Sequence, residues 1–209
     1  MSIINRVAVA AAITLSGVAL WDAIHTGLTG RPSGFSDAYG MTPMMIIGEM
    51  VHGLTYVALL AVLVVQRRHI DSGSAVRRWI RRLLVVDFGL FATMFLIGTP
   101  FLPAIERAGW GDASSTIGGI SFLLMFVLAV ALGLASVRTP QLRAAALVLI
   151  STVPLIGLAI ALGALGTGFG HPAYPEAAVY LGVALLGYRM DPASKPAAAQ
   201  PVPTPQSVG

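Results

Sequence analysis

Six apolar stretches, each close to the length of a bilayer crossing, constrain this chain more than any other feature. A helix needs about 20 mostly apolar residues to span the hydrocarbon core of a membrane. Charged residues, glycine and proline interrupt the sequence between the stretches. The pattern predicts an all-α polytopic membrane protein, a bundle of six transmembrane helices. The predicted spans are 7–29, 43–66, 83–103, 117–137, 144–167 and 174–189.

The composition supports this fold class. Of the 209 residues, 56% are hydrophobic and 11% are charged, whereas soluble domains carry about 25% charged residues. We expect one membrane domain over residues 1–190, and a disordered cytoplasmic tail over 191–209 that is rich in proline and alanine. Cysteine is absent, which excludes disulfides, Cys-ligated zinc, iron–sulfur clusters and a thiol nucleophile.

The N-terminus resembles a signal peptide in its short basic start and following apolar run. That run continues to about Leu28, which is longer than the apolar region of a typical signal peptide. We therefore expect a retained first helix.

The basic residues predict the orientation. With alternating spans, eleven of the 13 lysines and arginines fall on one side, and only Arg31 and Arg107 fall on the other. Positive charge concentrates on the cytoplasmic side, so we expect a multi-pass protein of the plasma membrane with both termini in the cytoplasm. The basic connection after span two also suits anionic headgroups. Nucleic acid is not an expected partner, because no aromatic residues interleave with these arginines in a binding motif.

Two acid–histidine pairs lie inside predicted spans. At a rise of about 1.5 Å per residue, Asp22 lies about 22 Å from the cytoplasmic boundary, and Glu49 lies about 9 Å from the outer one. His25 and His52 each follow their acid by three residues, so each pair shares one helix face. Charged groups in a bilayer usually face the bundle interior and pair with one another. We expect the two pairs to meet in the outer half of the bilayer.

Further polar groups are expected near the same level. Tyr56 follows His52 by about one turn, and His171 and Glu176 flank the outer start of span six. The candidate catalytic residues are thus Glu49, His52, Asp22 and His25. The candidate substrate-binding residues are Tyr56, His171 and Glu176. Asp87 is expected near the cytoplasmic boundary, with Arg81, Arg82 or the end of a neighbouring span as its partner.

Several chemistries fit such a cluster. A Glu-x-x-His pair occurs in di-iron carboxylate sites, and His25 and His52 could ligate a haem, although the sequence identifies no metal or cofactor. Burial disfavours the charged form of a carboxyl group, so Glu49 or Asp22 can hold a proton and deliver it, with histidine as the base. Proton or ion coupling in a carrier uses the same residues. The pairs can also serve only to tie two helices together.

The sequence favours a small membrane enzyme or ligand-binding protein with an acid/histidine site, acting on a lipophilic, lipid or isoprenoid-like substrate. The alternatives are a small proton- or ion-coupled permease and a non-catalytic accessory subunit. Besides the bilayer and a lipophilic small molecule, the partners considered are a second copy of the chain and another membrane subunit, because span four carries no ionisable residue.

One local irregularity is expected in span five. Pro154 lies near its middle, and proline removes one helical hydrogen bond. We predict a kink there, with the hydroxyl groups of Ser151 and Thr152 bonding the freed backbone groups.

The charge distribution generates a test of orientation. Ser74 and the residues after Lys195 are expected in the cytoplasm, and Ser36 and Ser114 outside, because basic loops remain on the cytoplasmic side. Since the chain has no cysteine, single Ser→Cys variants can be labelled with a membrane-impermeant thiol reagent in intact cells. Labelling at Ser114→Cys without labelling at Ser74→Cys is the expected result, and the reverse pattern would show an inverted topology.

Overall fold

The computed structural model describes residues 2–35, 42–99, 101 and 109–188. Every regular element within these residues is helical. A π-helical segment, Met94–Gly98, continues the fourth helix, and a 3-10 turn, Pro140–Leu142, precedes the sixth. The helices are α1 Ile3–Thr29, α2 Pro43–Val65, α3 Arg67–Asp71, α4 Ala75–Thr93, α5 Gly111–Ser136, α6 Arg143–Ile150, α7 Thr152–Ala164 and α8 Ala173–Leu186.

Four stretches of the described chain are long and apolar enough to cross a membrane. They are α1, α2, α5 and the stretch Pro140–Ala164, which contains α6 and α7. This confirms the all-α fold class and indicates a membrane protein. Several predicted features lie outside the described residues. They are the tail over 191–209, residues 100, 102 and 103 of span three, and the basic residues Arg107, Arg189 and Lys195.

Local sequence explains where the long helices begin. The hydroxyl groups of Ser2, Thr42 and Ser74 each accept a hydrogen bond from the backbone N–H three residues later, as is typical of N-cap residues. Pro43 occupies the first turn of α2, where its missing N–H costs nothing. At the other end of α1, Gly30 has a φ of 65° and caps the helix in the left-handed conformation that glycine adopts readily.

The connection predicted between spans two and three is mostly helical. It contains α3 and the first eight residues of α4, so α4 begins at Ala75 instead of near residue 83. Its arginines occupy two faces: Arg77 and Arg81 are buried, whereas Arg78 and Arg82 are exposed. A prediction from hydropathy places the end of a span at such charged residues. The helix nevertheless continues through them, because the buried guanidinium groups of Arg77 and Arg81 bond Thr139 and Asp71.

Helix α8 lies at the centre of the bundle. It packs against α1, α2, α5, α6 and α7, and most of its residues are buried, small ones such as Ala178 and Gly182 among them. The outward faces of its neighbours carry exposed apolar residues, for example Ile120, Leu123 and Val127 on α5. This is the arrangement expected where lipid replaces water around the bundle.

The expected kink in span five occurs as a break between α6 and α7 at Ser151, three residues before Pro154. The hydroxyl group of Ser151 donates a hydrogen bond to the carbonyl of Val148 at 2.7 Å. No partner is observed for the buried hydroxyl group of Thr152 among the described residues. The predicted role of a hydroxyl at the break therefore belongs to Ser151.

The contact between α5 and α6 generates a stability prediction. A Cβ atom at Gly133 would lie 2.9 Å from the carbonyl oxygen of Ala146 and 3.0 Å from the Cβ of Leu149. We expect Gly133→Ala to lower the free energy of unfolding in detergent by about 1–3 kcal/mol, the usual cost of overpacking.

Gly119 on the same helix is the matched control, because a Cβ there would meet nothing within 4 Å. Gly119→Ala should leave the stability unchanged or raise it by up to about 1 kcal/mol through helix propensity. Equal stability changes for both variants would contradict close α5–α6 contact.

Candidate functional site

A cavity of about 150 Å³ brings five of the seven candidate site residues together. It lies between α1, α2 and the start of α8, with Phe35 covering part of it. Val18, Ala19 and Gly48 supply an apolar part of its wall. The candidate residues that line this polar cavity are Asp22, Glu49, His52, His171 and Glu176.

Asp22 lies beside His171, which comes from a distant part of the chain. The Nε2 atom of His171 is 3.4 Å from one carboxylate oxygen of Asp22, and the backbone N–H of Ser33 donates to the other at 3.2 Å. The backbone N–H of Ala173 donates to Nδ1 of His171 at 3.1 Å. Since Nδ1 accepts this bond, the proton of the neutral ring sits on Nε2 and is directed at Asp22.

Glu49 and His52 occupy the α2 wall of the polar cavity. The hydroxyl group of Thr99 donates to a carboxylate oxygen of Glu49 at 3.0 Å. His52 stacks on Phe95 with the ring centroids 5.0 Å apart, and its Nδ1 lies 3.1 Å from the carbonyl oxygen of Gly48. Because a carbonyl oxygen only accepts, Nδ1 carries the proton of the neutral ring, which leaves Nε2 as its basic nitrogen.

Glu176 connects the polar cavity to a buried pair of tyrosines. It is only 8% exposed, and Tyr180 donates its hydroxyl hydrogen to a carboxylate oxygen of Glu176 at 3.1 Å. The hydroxyl oxygen of Tyr180 lies 3.0 Å from that of Tyr56, and Tyr56 also contacts the sulfur of Met125 at 3.6 Å. The chain of polar contacts therefore runs from the cavity into the centre of the bundle.

Two candidate site residues do not line the polar cavity. His25 shares its helix with Asp22, but its Nδ1 lies 3.2 Å from the carbonyl oxygen of Arg31. Tyr56 is 1% exposed and contacts the cavity residues indirectly, through the hydroxyl group of Tyr180 and through the ring of Phe95, which stacks with His52. Helical spacing places residues along a helix but does not locate the cavity wall, so the roles predicted for His25 and Tyr56 remain predictions.

Asp87 does not bond Arg81, one of its expected partners. Arg81 bonds Asp71 with nitrogen–oxygen distances of 2.8 and 3.1 Å, and Asp87 instead bonds the hydroxyl group of Ser121 on α5. Because α4 starts at Ala75, Asp87 lies about 18 Å along the helix. Asp87 therefore lies near the middle of the bundle, away from the arginine-rich start of α4.

The cavity residues include the side-chain types that bind metal ions. Among the described residues, no group of three or more histidine, aspartate or glutamate side chains is arranged to hold a metal ion. His25 and His52 do not face one another across the polar cavity, since only His52 lines it. The geometry thus offers proton-transfer groups more directly than a set of metal or haem ligands.

The sequence reasoning missed Tyr180 and Thr99. Tyr180 follows Glu176 by four residues, a spacing that places both on one helix face. Their contact could therefore have been predicted from the sequence. The contact of Thr99 with Glu49 could not be predicted in this way, because it depends on how the π-helical segment after α4 approaches α2.

The tyrosine pair generates a stability prediction. Tyr180→Phe removes the donor to Glu176 and the partner of Tyr56, so buried polar groups lose their bonds. We expect the free energy of unfolding in detergent to fall by about 1–3 kcal/mol. Tyr188→Phe is the control, because Tyr188 is 41% exposed and should change stability little. An equal effect of the two variants would mean that the buried hydroxyl bonds contribute nothing.

No protein-family model matches the chain, and comparison with curated proteins and with solved structures finds no match either. The chemistry of the polar cavity is therefore the basis on which a function is assigned.

Proposed function

We propose that the protein is a small integral membrane enzyme or ligand-binding protein that uses acid/base chemistry on a lipophilic, lipid or isoprenoid-like molecule. One observation carries the proposal: three carboxyl groups and two imidazoles, from α1, α2, α8 and the residues before α8, line a single cavity of about 150 Å³. Ionisable groups are costly within a bilayer and usually serve a function there.

Glu49 and His52 are the residues proposed to exchange protons with the ligand. Glu49 borders the cavity from α2, and in its protonated form it can donate to a ligand atom. His52 offers Nε2 as a base in the neutral tautomer that its bond to the Gly48 carbonyl favours. Asp22 and His171 orient one another across the same cavity, and Glu176 extends it toward Tyr180.

The size of the cavity favours a ligand that is only partly enclosed. A volume of about 150 Å³ is below the roughly 300–1,000 Å³ of typical small-molecule sites. It suits the polar group of an amphiphile whose apolar part lies along the bundle. Val18, Ala19 and Phe35 line the cavity, and Trp21 and Ile47 are exposed on the neighbouring helix surfaces.

We further propose six crossings in the plasma membrane, with the arginine-rich end in the cytoplasm. Four of these crossings would be the long apolar stretches. The fifth would be α4 with its π-helical continuation, and the sixth would be α8. The split of basic residues supports this orientation, which places the polar cavity in the outer half of the bilayer.

A proton-coupled carrier is the second candidate, favoured by the hydrogen bonds from Glu176 through Tyr180 to Tyr56. This series of hydrogen bonds ends at the sulfur atom of Met125. Farther along α2, Leu59, Val62 and Leu63 are buried and apolar. The described residues therefore support a site open at one end better than a path through the bundle.

Glu49→Gln tests the proposal. Glutamine keeps the size of glutamate and still accepts a hydrogen bond, such as that from Thr99, but cannot deliver a carboxyl proton. Cells that lack the protein should show a changed profile of lipophilic metabolites by mass spectrometry. Wild-type protein should restore the profile and Glu49→Gln should not, although both should insert and melt at similar temperatures in detergent.

Asp112→Asn is the matched control. Asp112 is an exposed carboxylate in the first turn of α5, so its amide variant should restore the profile like wild type. Full restoration by Glu49→Gln would remove Glu49 as a proton donor and favour the accessory-subunit alternative. An unchanged metabolite profile in cells without the protein would contradict a lipophilic substrate.

A further inference from the structure

A second pocket, of about 460 Å³, lies at the opposite end of the bundle from the polar cavity. It forms where α2 ends and α4 begins, and it is much larger than the cavity among the acids and histidines. We call it the arginine pocket. Its charged lining consists of Arg67, Arg68, Asp71, Arg78, Arg81 and Arg82.

The single carboxylate of the arginine pocket is already engaged. Arg81 is 7% exposed and bonds both oxygens of Asp71, at 2.8 and 3.1 Å, in a bidentate pair. It also donates to the carbonyl of Leu63 at 3.3 Å. Asp71 thus neutralises the buried arginine, and its contact with Arg78 is longer, at 3.9 Å.

Four guanidinium groups remain around the pocket with little compensating charge. Arg67, Arg68, Arg78 and Arg82 are all exposed. The guanidinium carbon of Arg82 lies 5.1 Å from the centroid of the Trp79 ring, a cation–π contact that orients the side chain. Guanidinium groups form bidentate hydrogen bonds with phosphate oxygens, so the arginine pocket has the charge and the donors for a phosphate-bearing anion.

The apolar rim of the pocket favours a lipid over a soluble anion. Val64 lines the pocket itself. Trp79 and Leu83 are exposed nearby on α4. Helix α2 is about 34 Å long, enough to cross a hydrocarbon core of about 30 Å, so its last residues reach the headgroup level. An acyl chain can pack on this apolar surface while its headgroup meets the arginines.

We propose that the arginine pocket binds the headgroup of an anionic phospholipid that carries two phosphate groups. Two phosphates suit the four exposed arginines better than one does, because only Arg78 among them contacts the carboxylate of Asp71, at 3.9 Å. Basic pockets between membrane helices suit headgroups of this kind. The site is separate from the polar cavity, so the proposal does not depend on the function assigned there.

Native mass spectrometry of the detergent-solubilised full chain tests the proposal by titration with three lipids. These are diphosphatidylglycerol with two phosphates, phosphatidylglycerol with one, and zwitterionic phosphatidylcholine. We expect the tightest binding for diphosphatidylglycerol. The double variant Arg67→Gln/Arg68→Gln removes two exposed pocket charges and should weaken that binding about 30-fold.

The matched control is Arg138→Gln/Arg143→Gln, which removes two exposed arginines from a different pocket. It should change the affinity little, because neither of these arginines lines the arginine pocket. Equal weakening by both double variants would overturn the proposal in favour of diffuse surface charge. Pyrophosphate is titrated as the soluble probe, and binding as tight as that of diphosphatidylglycerol would assign the site to a soluble anion. Equal affinity for all three lipids would also overturn it.

Discussion

Helix α8 is about 21 Å long, shorter than the roughly 30 Å hydrocarbon core of a bilayer. It is enclosed by five other helices and exposes little surface. Its small residues allow this enclosure: a Cβ at Gly182 would lie 2.6 Å from a side-chain carbon of Leu149. Because α8 carries Glu176 and Tyr180 into the interior, the polar cavity and the tyrosine pair both depend on this close packing.

The two ends of the bundle carry different clusters of polar groups. Carboxyl and imidazole groups gather at one end of the bundle, and arginines gather at the other, where Asp71 compensates Arg81. Between them lies a core of aliphatic and aromatic side chains, including Leu59, Leu63 and Phe88. Asp22, Glu176 and Arg81 each find partners close to their own end, which limits the cost of burying charge. The two ends are thereby left with different binding chemistries.

Some of this arrangement could be read from the sequence. The predicted spans 7–29 and 43–66 agree closely with α1 and α2, because hydropathy depends on each residue and not on its neighbours in space. The spacing of Glu49 and His52 correctly indicated one face of α2. The start of α4 was missed, since arginines that find buried partners extend a helix beyond the point where an apolar run stops. Orientation in the membrane stays a prediction.

The sequence by itself determined the class: an all-helical chain with spans suited to a bilayer, acids and histidines inside those spans, and a concentration of arginine between two of them. Tertiary structure alone decided which groups meet. Asp22 faces His171 instead of a histidine on the adjacent helix, Tyr56 bonds Tyr180, and Asp87 bonds Ser121. The physical reason is that these contacts depend on how closely helices approach. That approach is set by non-local packing, such as Gly133 against Ala146, which no local spacing encodes.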